Sequence, residues 1–324
     1  MHQVAIVIPN WNGAGRLARL LENLKAQTYA IDRVVVVDNG STDDSRAVAG
    51  AAGASVIPLT TNTGFSHAVN CGIQAAAAEW IVILNNDVVL EPDWLKKLMA
   101  SAIAQQAWFA TGKLLQASRR DRVDGAFDAI CRGGCAWKCG HGRVDAPVWN
   151  QAREIAFAPL TAALFRAQLF ERVGLLDESL ESYLEDVDLG LRCAAQGLTG
   201  RYVPGAVAYH EGSATLGAWH PDTVRKISRN QLLIVAKHYP RKWILRYGWP
   251  VIVAQALWGG VALRHGAFLA YLKGKLDALR RFGESRGEAC PRLSDILDRS
   301  EREIHELQKL TGYDLYWRLY FTLT

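Results

Sequence analysis

Four short apolar runs alternate with helix-like segments in the first 90 residues, and this alternation constrains the fold most. The runs span residues 4–8, 33–37, 55–59 and 80–84. Short runs rich in Val and Ile are typical of strands buried on both faces of a sheet. Leucines recur at helical spacing between the first two runs, at Leu17, Leu20, Leu21 and Leu24. The pattern predicts an α/β fold with a doubly wound, mostly parallel sheet flanked by helices.

Polar residues follow three of these runs, at the edge of the sheet where such folds bind ligands. The first run leads into residues 9–13 (Pro-Asn-Trp-Asn-Gly), and the second leads into Asp38-Asn39-Gly40-Ser41. The fourth is followed by Asn85-Asn86-Asp87. A divalent cation that also binds substrate phosphates needs only one or two protein carboxylates, so this last triplet fits a metal site. Asx residues also end strands for turn-forming reasons, which is the structural alternative.

A second acidic cluster, Glu185-Asp186-Val187-Asp188, lies in the middle of the chain. One interpretation is an exposed helix N-terminus, where the helix dipole favours carboxylates. The other is a general base whose pKa is tuned by its neighbours. The spacing alone leaves both open. His210 follows a strand-like Ala206-Val207-Ala208 and is either structural or a metal ligand.

Together these motifs resemble glycosyltransferase family 2, which has the GT-A fold, and within it the bacterial rhamnosyltransferase-like members. The resemblance runs from Val4 to about Tyr239. It rests on six motifs in order: residues 7–13, 35–43, 62–66 with Asn70 and Gly72, 84–87, 183–189 with Arg192, and His210 with Gly212 and Ser213.

The resemblance implies an inverting transfer of a sugar from a nucleotide diphosphate to an acceptor hydroxyl. Asp38 would accept a hydrogen bond from the imide nitrogen of uracil or thymine. The residues implied along the nucleotide and the sugar are Pro9, Trp11, Asn12, Asp38, Asn62, Gly64, Phe65, Asn70 and Asn86.

The resemblance also implies a bound Mg²⁺ or Mn²⁺ and a carboxylate base. Asp87 stands at the last position of the family's DXD metal motif, and His210 matches a position that completes the site. Asn85 occupies the first position of that motif, so the site has fewer charged ligands than the family pattern. Asp186 matches the catalytic base, with Glu185 beside it.

Cys131, Cys135, Cys139 and His141 offer four soft ligands within eleven residues, at a spacing that zinc tolerates. The glycines around them resemble the variable loop that closes over the donor in this family. A zinc site therefore remains an alternative to a glycine-rich active-site loop with incidental thiols. Residues 1–9 show no secretory signal, so we expect reduced cysteines and a cytoplasmic location.

The C-terminal third differs in character, which predicts a catalytic domain at residues 1–215 and a helical region at residues 216–324. Residues 225–286 hold 13 Lys and Arg against 2 Asp and Glu, in a chain of net charge +5. The apolar stretch 248–263 is shorter than the roughly 20 residues of a membrane span. It favours a membrane-surface or re-entrant helix at the inner face of the cell membrane, with a buried helix as the alternative.

An aromatic tail, defined by Tyr313, Tyr316, Trp317, Tyr320 and Phe321, lies near the C-terminus. The aromatic tail could meet lipid, pack within the protein, or join copies of the chain in a homo-oligomer.

The expected reaction is transfer of a deoxysugar, such as rhamnose from a dTDP donor, to a surface glycan or polyprenyl-linked acceptor. A UDP-sugar donor with a soluble acceptor is the alternative. A sugar nucleotidyltransferase would need a glycine-rich, basic loop after the first strand, which residues 9–12 do not provide. A noncatalytic scaffold or a nucleic-acid binder is also disfavoured, because the aromatics of the basic segment are embedded in aliphatic runs. We therefore expect no nucleic-acid partner.

Overall fold

The computed structural model describes residues 2–212, 217 and 219–324, which form a mixed sheet with helices on both faces. The sheet strands are β1 Val4–Asn10, β2 Arg33–Asn39, β3 Ser55–Leu59, β4 Trp80–Leu84, β5 Val88–Leu90, β6 Phe109–Gln116, β7 Arg119–Gly125, β10 Arg153–Ile155, β11 Ala162–Arg166 and β12 Gly200–His210. A separate hairpin consists of β8 Asp128–Ile130 and β9 Ala136–Lys138.

The helices follow the strands in the catalytic part and then dominate the C-terminal part. They are α1 Ala14–Lys25, α2 Ser45–Ala51, α3 Phe65–Ala76, α4 Trp94–Ala104, α5 Ala167–Val173, α6 Glu185–Ala195, α7 Pro221–His238, α8 Trp243–Arg264, α9 Phe268–Arg281, α10 Leu293–Thr311 and α11 Leu315–Leu323. Short 3₁₀ turns occur at Pro147–Asn150 and Glu178–Leu180.

The parallel half of the sheet confirms the sequence prediction. Its order is β3-β2-β1-β4, and all neighbouring strands in it are parallel. Val7 in β1 pairs with Val35 on one side and Ile83 on the other. From β1 the chain adds β2 and β3 on one side and then adds β4 on the other side. The carboxyl ends of β1 and β4 therefore form a topological switch point.

Both faces of β1 are buried, which explains its unbroken apolar run. Ile6 and Ile8 pack in the same cluster as the leucines of α1, whereas Val7 packs in a cluster with Val69 and Ile73 of α3. A Cβ at Gly72 would lie 2.2 Å from a methyl of Val7, so only glycine allows α3 to lie this close to the sheet.

The predicted α/β sheet flanked by helices is confirmed; its strands β1 to β4 are parallel, and its second half is mixed. β11 lies between β4 and β6 and is antiparallel to both. β6 is parallel to β12 and antiparallel to β7. Antiparallel neighbours need only a short turn, whereas parallel ones need a crossover, and the chain after β6 continues by such a turn into β7.

Helices α7 to α11 form the described part of the C-terminal region. α7 packs against α9, α11 packs against α8, and α10 packs against β8 of the hairpin. The predicted boundary between residues 215 and 216 lies outside the described residues. No described helix combines the length and apolar character that a membrane crossing requires.

The aromatic tail packs within the protein, which is one of the three alternatives left open by the sequence. Trp317 and Tyr320 are buried, and the Trp317 ring centroid lies 6.3 Å from that of Trp137. The Tyr316 hydroxyl donates a hydrogen bond to the carbonyl of Ala254 at 3.1 Å. These contacts tie α11 to α8 and to the hairpin.

Candidate active site

The switch point between β1 and β4 carries a polar contact that joins two of the predicted loops. Asn86 Nδ2 donates to Asn10 Oδ1 at 2.6 Å, directly beyond the ends of the two strands. A Cβ on Gly13 would approach Asn86 Nδ2 to 2.4 Å, so the first loop needs glycine there. Asn86 was predicted to contact the donor, and the structure places it at this edge beside Asn10.

Asp38 lies at the end of β2 and is fully buried. Its Oδ2 accepts a hydrogen bond from Arg46 Nε at 2.5 Å. Its Oδ1 is also buried and has no hydrogen-bond partner among the described residues. A buried acceptor without a partner is rare because its desolvation is costly. The free Oδ1 fits the predicted role of accepting from the imide nitrogen of a pyrimidine base.

The loop after β1 is bound to the loop after β2 by Asn12. This residue has a positive φ of 46°, which asparagine tolerates better than most residues. Its amide accepts from the Thr42 backbone N–H at 2.8 Å, and its own N–H donates to Ser41 Oγ at 2.9 Å. Pro9 and Trp11, on the same loop, are half-buried. The first and second loops therefore form one continuous rim.

The loop after β3 is held to the same rim by Asn39, a residue that the sequence reasoning did not single out. Asn39 Nδ2 donates to Asn62 Oδ1 at 3.1 Å, and Asn62 Oδ1 also accepts from the Gly64 N–H at 3.0 Å. Gly64 has a φ of 91°, which favours glycine. Phe65 then begins α3 with its side chain half-buried.

Asn70 lies in α3, one turn further from this rim. Its Nδ2 donates to the Leu176 carbonyl at 2.9 Å and to Glu178 Oε1 at 2.9 Å, and its Oδ1 accepts from the Leu176 N–H at 3.0 Å. These bonds join α3 to the segment that leads to the second acidic cluster. The predicted contact of Asn70 with the sugar stays a prediction.

The predicted metal residues Asp87 and His210 lie together. His210 Nε2 is 3.3 Å from Asp87 Oδ1, and His210 Nδ1 is 2.7 Å from Asp124 Oδ2. Lys138 of the hairpin also binds Asp124. Burial alone would lower the pKa of His210, but Asp124 and Asp87 together outweigh burial and raise that pKa. Burial would raise the pKa of Asp124, but His210 and Lys138 hold it well below its usual range.

These residues fit a divalent cation that is bound only partly by protein. Asn85 Oδ1 is buried and, within the described residues, lacks a hydrogen-bond partner. Asp87 Oδ1 is also buried, with His210 Nε2 at 3.3 Å. A histidine ligand is commonly oriented by a carboxylate on its other ring nitrogen, and Asp124 stands in that position. The described residues contain no group of three or more His, Cys, Asp or Glu side chains that could hold a metal alone.

Asp186 is the second residue of α6 and has a carboxyl neighbour that the sequence reasoning missed. α6 packs against β8, which carries Asp128, and the two carboxyl groups affect each other's pKa. Burial raises the pKa of both carboxyls, and the negative charge of Asp186 raises the pKa of Asp128 further. Two neighbouring carboxylates do not both ionise easily, because like charges repel. A raised pKa makes a carboxylate a better proton acceptor.

The other two carboxylates of the acidic cluster have different surroundings. Glu185 is buried, and burial together with the charge of Asp186 raises its pKa well above the usual range. Asp188 is fully buried and binds Arg192 at 2.9 Å and His238 at 2.7 Å. These partners outweigh burial and hold the pKa of Asp188 well below its usual range. Asp188 therefore acts as a structural anchor of α6.

Three of the four residues of the zinc alternative have separate partners. Cys135 Sγ accepts from Gln255 Nε2 at 3.4 Å, whereas Cys139 Sγ contacts the Trp137 carbonyl at 3.7 Å. His141 Nδ1 lies 2.9 Å from the carbonyl oxygen of Asp124. Across residues 2–212, 217 and 219–324 no group of three or more His, Cys, Asp and Glu side chains that could hold a metal is present.

Comparison with known proteins identifies the family of this chain. The family model "Glycosyl transferase family 2" matches residues 5–173, just over half of the chain. An N-acetylglucosaminyl-diphospho-decaprenol L-rhamnosyltransferase of Mycobacterium tuberculosis is 26% identical over 275 residues, covering 74% of this chain and 88% of that protein. A pre-mycofactocin glycosyltransferase of the same species is 25% identical, over 75% of this chain. This chain spans about half of that relative, 52% of its length.

Solved glycosyltransferases share the fold. GalNAc-T7 with UDP, GalNAc and Mn²⁺ superposes with a TM-score of 0.65 at 14% identity, covering 97% of this chain and 58% of that one. The mannosyltransferase PcManGT from Pyrobaculum calidifontis, with GDP-Man and Mn²⁺, gives 0.54 at 16% identity, covering 99% and 86%. At such identities the likeness concerns the fold alone. The family match and the fold together show that this chain belongs to glycosyltransferase family 2 and has the GT-A fold.

Proposed function

We propose that this chain is an inverting, metal-dependent glycosyltransferase that moves a sugar from a nucleotide diphosphate to an acceptor hydroxyl. The observation that carries the proposal is the packing of α6, which carries Asp186, against β8, which carries Asp128. Asp186, whose pKa is raised, therefore belongs to the same domain as the nucleotide rim, by which we mean the joined loops after β1, β2 and β3. Removal of the hydroxyl proton by Asp186 would then accompany a single displacement at the anomeric carbon.

Asp38, with Arg46 behind it, would bind the pyrimidine base through the free Oδ1. Asp87, Asn85 and His210 would hold the Mg²⁺ or Mn²⁺, with Asp124 orienting the histidine ring. When bound, such a cation neutralises the charge that develops on the departing diphosphate. The remaining ligands would be phosphate oxygens and water, because the protein offers few charged ligands.

The donor and acceptor follow from the relatives. We assign the donor to the dTDP- or UDP-sugars, with L-rhamnose favoured by the likeness to the mycobacterial rhamnosyltransferase. That relative is named for a polyprenyl-linked acceptor, and we extend the same acceptor class, a lipid-linked or surface glycan, to this chain. A UDP-sugar with a soluble acceptor is the second candidate, and product analysis with either acceptor separates the two.

A thermal-shift screen with and without Mn²⁺ tests the binding half of this proposal. We expect a dTDP- or UDP-sugar to raise the unfolding temperature, because a ligand that binds only the folded state stabilises it. The rise should be larger with Mn²⁺ than with EDTA. Asp87→Ala should lose the metal-dependent part of the shift while keeping the part due to the base. A shift equally large in EDTA would contradict the metal role.

We also propose that the helical region binds anionic membranes at the cytoplasmic face. The outer face of α8 exposes Leu245, Trp249 and Ile252, with Leu245 86% exposed. Arg241 and Lys242, at the N-terminal end of α8, are exposed as well. On α9, exposed leucines recur every three or four residues, at Leu269, Leu272, Leu276 and Leu279. Apolar faces flanked by basic residues complement anionic headgroups in both charge and polarity.

Vesicle flotation tests the membrane proposal on the full chain. We expect the protein to float with vesicles of anionic lipid and to remain in the pellet with neutral phosphatidylcholine. The double variant Leu245→Ser with Ile252→Ser should lose flotation, whereas Ile103→Ser should keep it, since Ile103 is an exposed apolar residue on α4. Equal flotation of both variants would refute the surface. A dimer in solution that the double variant dissociates would instead assign this face to a second copy.

A further inference from the structure

The turn immediately before the proposed base has an unusual backbone. Glu181, Tyr183 and Leu184 have φ angles of 61°, 73° and 67°. L-residues with side chains rarely adopt this region, and here three of four consecutive positions do. We call residues 181–184 the αL turn. Because α6 begins at Glu185, the conformation of the αL turn sets where Asp186 lies. The αL turn therefore needs support from outside itself.

Asn230 of α7 supplies that support from one side. It is fully buried, and its Nδ2 lies 2.9, 3.0 and 2.8 Å from the carbonyl oxygens of Leu180, Ser182 and Tyr183. An amide nitrogen carries two hydrogens, so these three carbonyls consume its whole donor capacity. Its Oδ1 accepts from Arg229 Nε at 2.8 Å, which fixes the orientation of the amide. One side chain thus binds carbonyls along the αL turn.

Arg229 reinforces the same contact. Its guanidinium is buried and donates to Glu181 Oε1 at 2.6 Å and to the Leu180 carbonyl at 2.8 Å. Three of its nitrogens are thus engaged, with Glu181 of the αL turn, with the preceding Leu180 and with Asn230. The planar fork of arginine suits this fixed geometry better than the single ammonium of lysine.

The loop that carries the predicted donor residues touches the αL turn from the other side. Ser66 N–H donates to the Glu181 carbonyl at 2.9 Å, and Phe65 N–H donates to Ser182 Oγ at 3.3 Å. A Cβ on Gly64 would lie 3.0 Å from the Glu181 carbonyl oxygen. The αL turn is therefore enclosed between the donor loop and α7.

We propose that Arg229 and Asn230 are positioning residues, which hold the αL turn in its strained conformation and thereby place Asp186 against the acceptor. The proposal rests on the role proposed for Asp186. It assigns a part in catalysis to α7, a helix whose residues touch neither the nucleotide rim nor the predicted metal residues in the contacts described here. The effect should appear in turnover, because the donor loop keeps its own bonds to Asn39.

The test is a kinetic comparison of Asn230→Ala with Gln231→Ala. Gln231 is the next residue of the same helix, is also buried, and binds Lys275 instead of the αL turn. We expect Asn230→Ala to lower kcat by about tenfold to a hundredfold, the cost of a displaced catalytic group. The donor KM should stay within about twofold of wild type. Gln231→Ala should retain wild-type kcat.

Two further variants keep the test decisive. Asn230→Asp preserves size but replaces the donor with a carboxylate facing three carbonyls, so its kcat should fall at least as far as that of Asn230→Ala. If Asn230→Ala does not fold, Arg229→Lys takes its place, and we again expect a lower kcat with a nearly unchanged donor KM. Wild-type kcat in a folded Asn230→Ala overturns the proposal, and so does an equal loss in Gln231→Ala. Asp186→Asn serves as the reference: if it remains active, the proposed base fails, whatever the result at Asn230.

Discussion

Asp186→Asn is expected to lose sugar transfer while it keeps nucleotide-sugar binding. Loss of a positioned general base lowers the rate by roughly 10² to 10⁴, and asparagine cannot accept the acceptor's proton. The residues of the nucleotide rim do not depend on Asp186, so the donor dissociation constant should change by less than about threefold. Single-turnover transfer and isothermal calorimetry with the donor measure the two quantities.

The Asp186→Asn variant is also expected to fold. The raised pKa values of Asp186 and Asp128 mean that the folded state holds their protons more tightly than the unfolded state. Their contribution to the free energy of unfolding is therefore largest at low pH and falls as the pH rises through the folded-state pKa. Ionisation of the two carboxyls therefore destabilises the folded protein at higher pH. Replacing one carboxyl with an amide removes that destabilisation. Asp295→Asn, an exposed aspartate on α10, is the control and should transfer normally. Near-normal turnover in Asp186→Asn would exclude this residue as the base.

Asp38→Ala is expected to weaken binding of the nucleotide sugar by about tenfold to a hundredfold. A hydrogen bond to a charged group contributes about 1.5–3 kcal/mol, and each 1.4 kcal/mol is tenfold in affinity. The variant leaves Arg46 without its partner, but that side chain is half exposed, so the structural cost should be small. Calorimetric titration with the nucleoside diphosphate alone measures the effect, because the missing contact is to the base.

Asp32→Ala is the matched control for Asp38→Ala. Asp32 precedes the same strand at its opposite end, where its side chain accepts from the Val4 N–H at 2.7 Å. It should affect stability and leave nucleotide affinity unchanged. An equal loss of affinity in both variants would mean that Asp38 acts only through the fold of β2.

The sequence predicted the half of the molecule whose signals are local. The apolar runs of β1 to β4 and the leucine spacing of α1 lie in contiguous segments. In each segment the pattern of apolar residues indicates which side chains are buried. Because the carboxyl ends of parallel strands meet at one edge of the sheet, the sequence alone predicts that Asp38, Asn85 and Asp87 lie at that edge. The mixed part of the sheet was not predictable in this way, because β11 pairs with β4 and β6 across long stretches of chain.

The missed site residues share one physical cause, which is contact over long sequence separation. Asp128 reaches Asp186 only because the β8–β9 hairpin folds beside α6, and nothing near Asp128 in the sequence records that contact. Asp124 and Asp128 lie four residues apart in a segment that was already noted for its glycines, which is the one signal that was available. Asn230 lies on α7, whose sequence carries no motif that would indicate a function. Its proposed role follows only from the backbone carbonyls that it binds in the structure.

The configuration of the anomeric carbon in the product tests the central claim most directly. The transfer product of the wild-type protein, formed with the donor identified by binding, would be examined by NMR for the coupling of its new glycosidic bond. A single displacement assisted by Asp186 predicts an anomeric configuration opposite to that of the donor sugar. A product with the donor's own configuration would contradict the account, because retention by two displacements requires a nucleophile that forms a covalent intermediate.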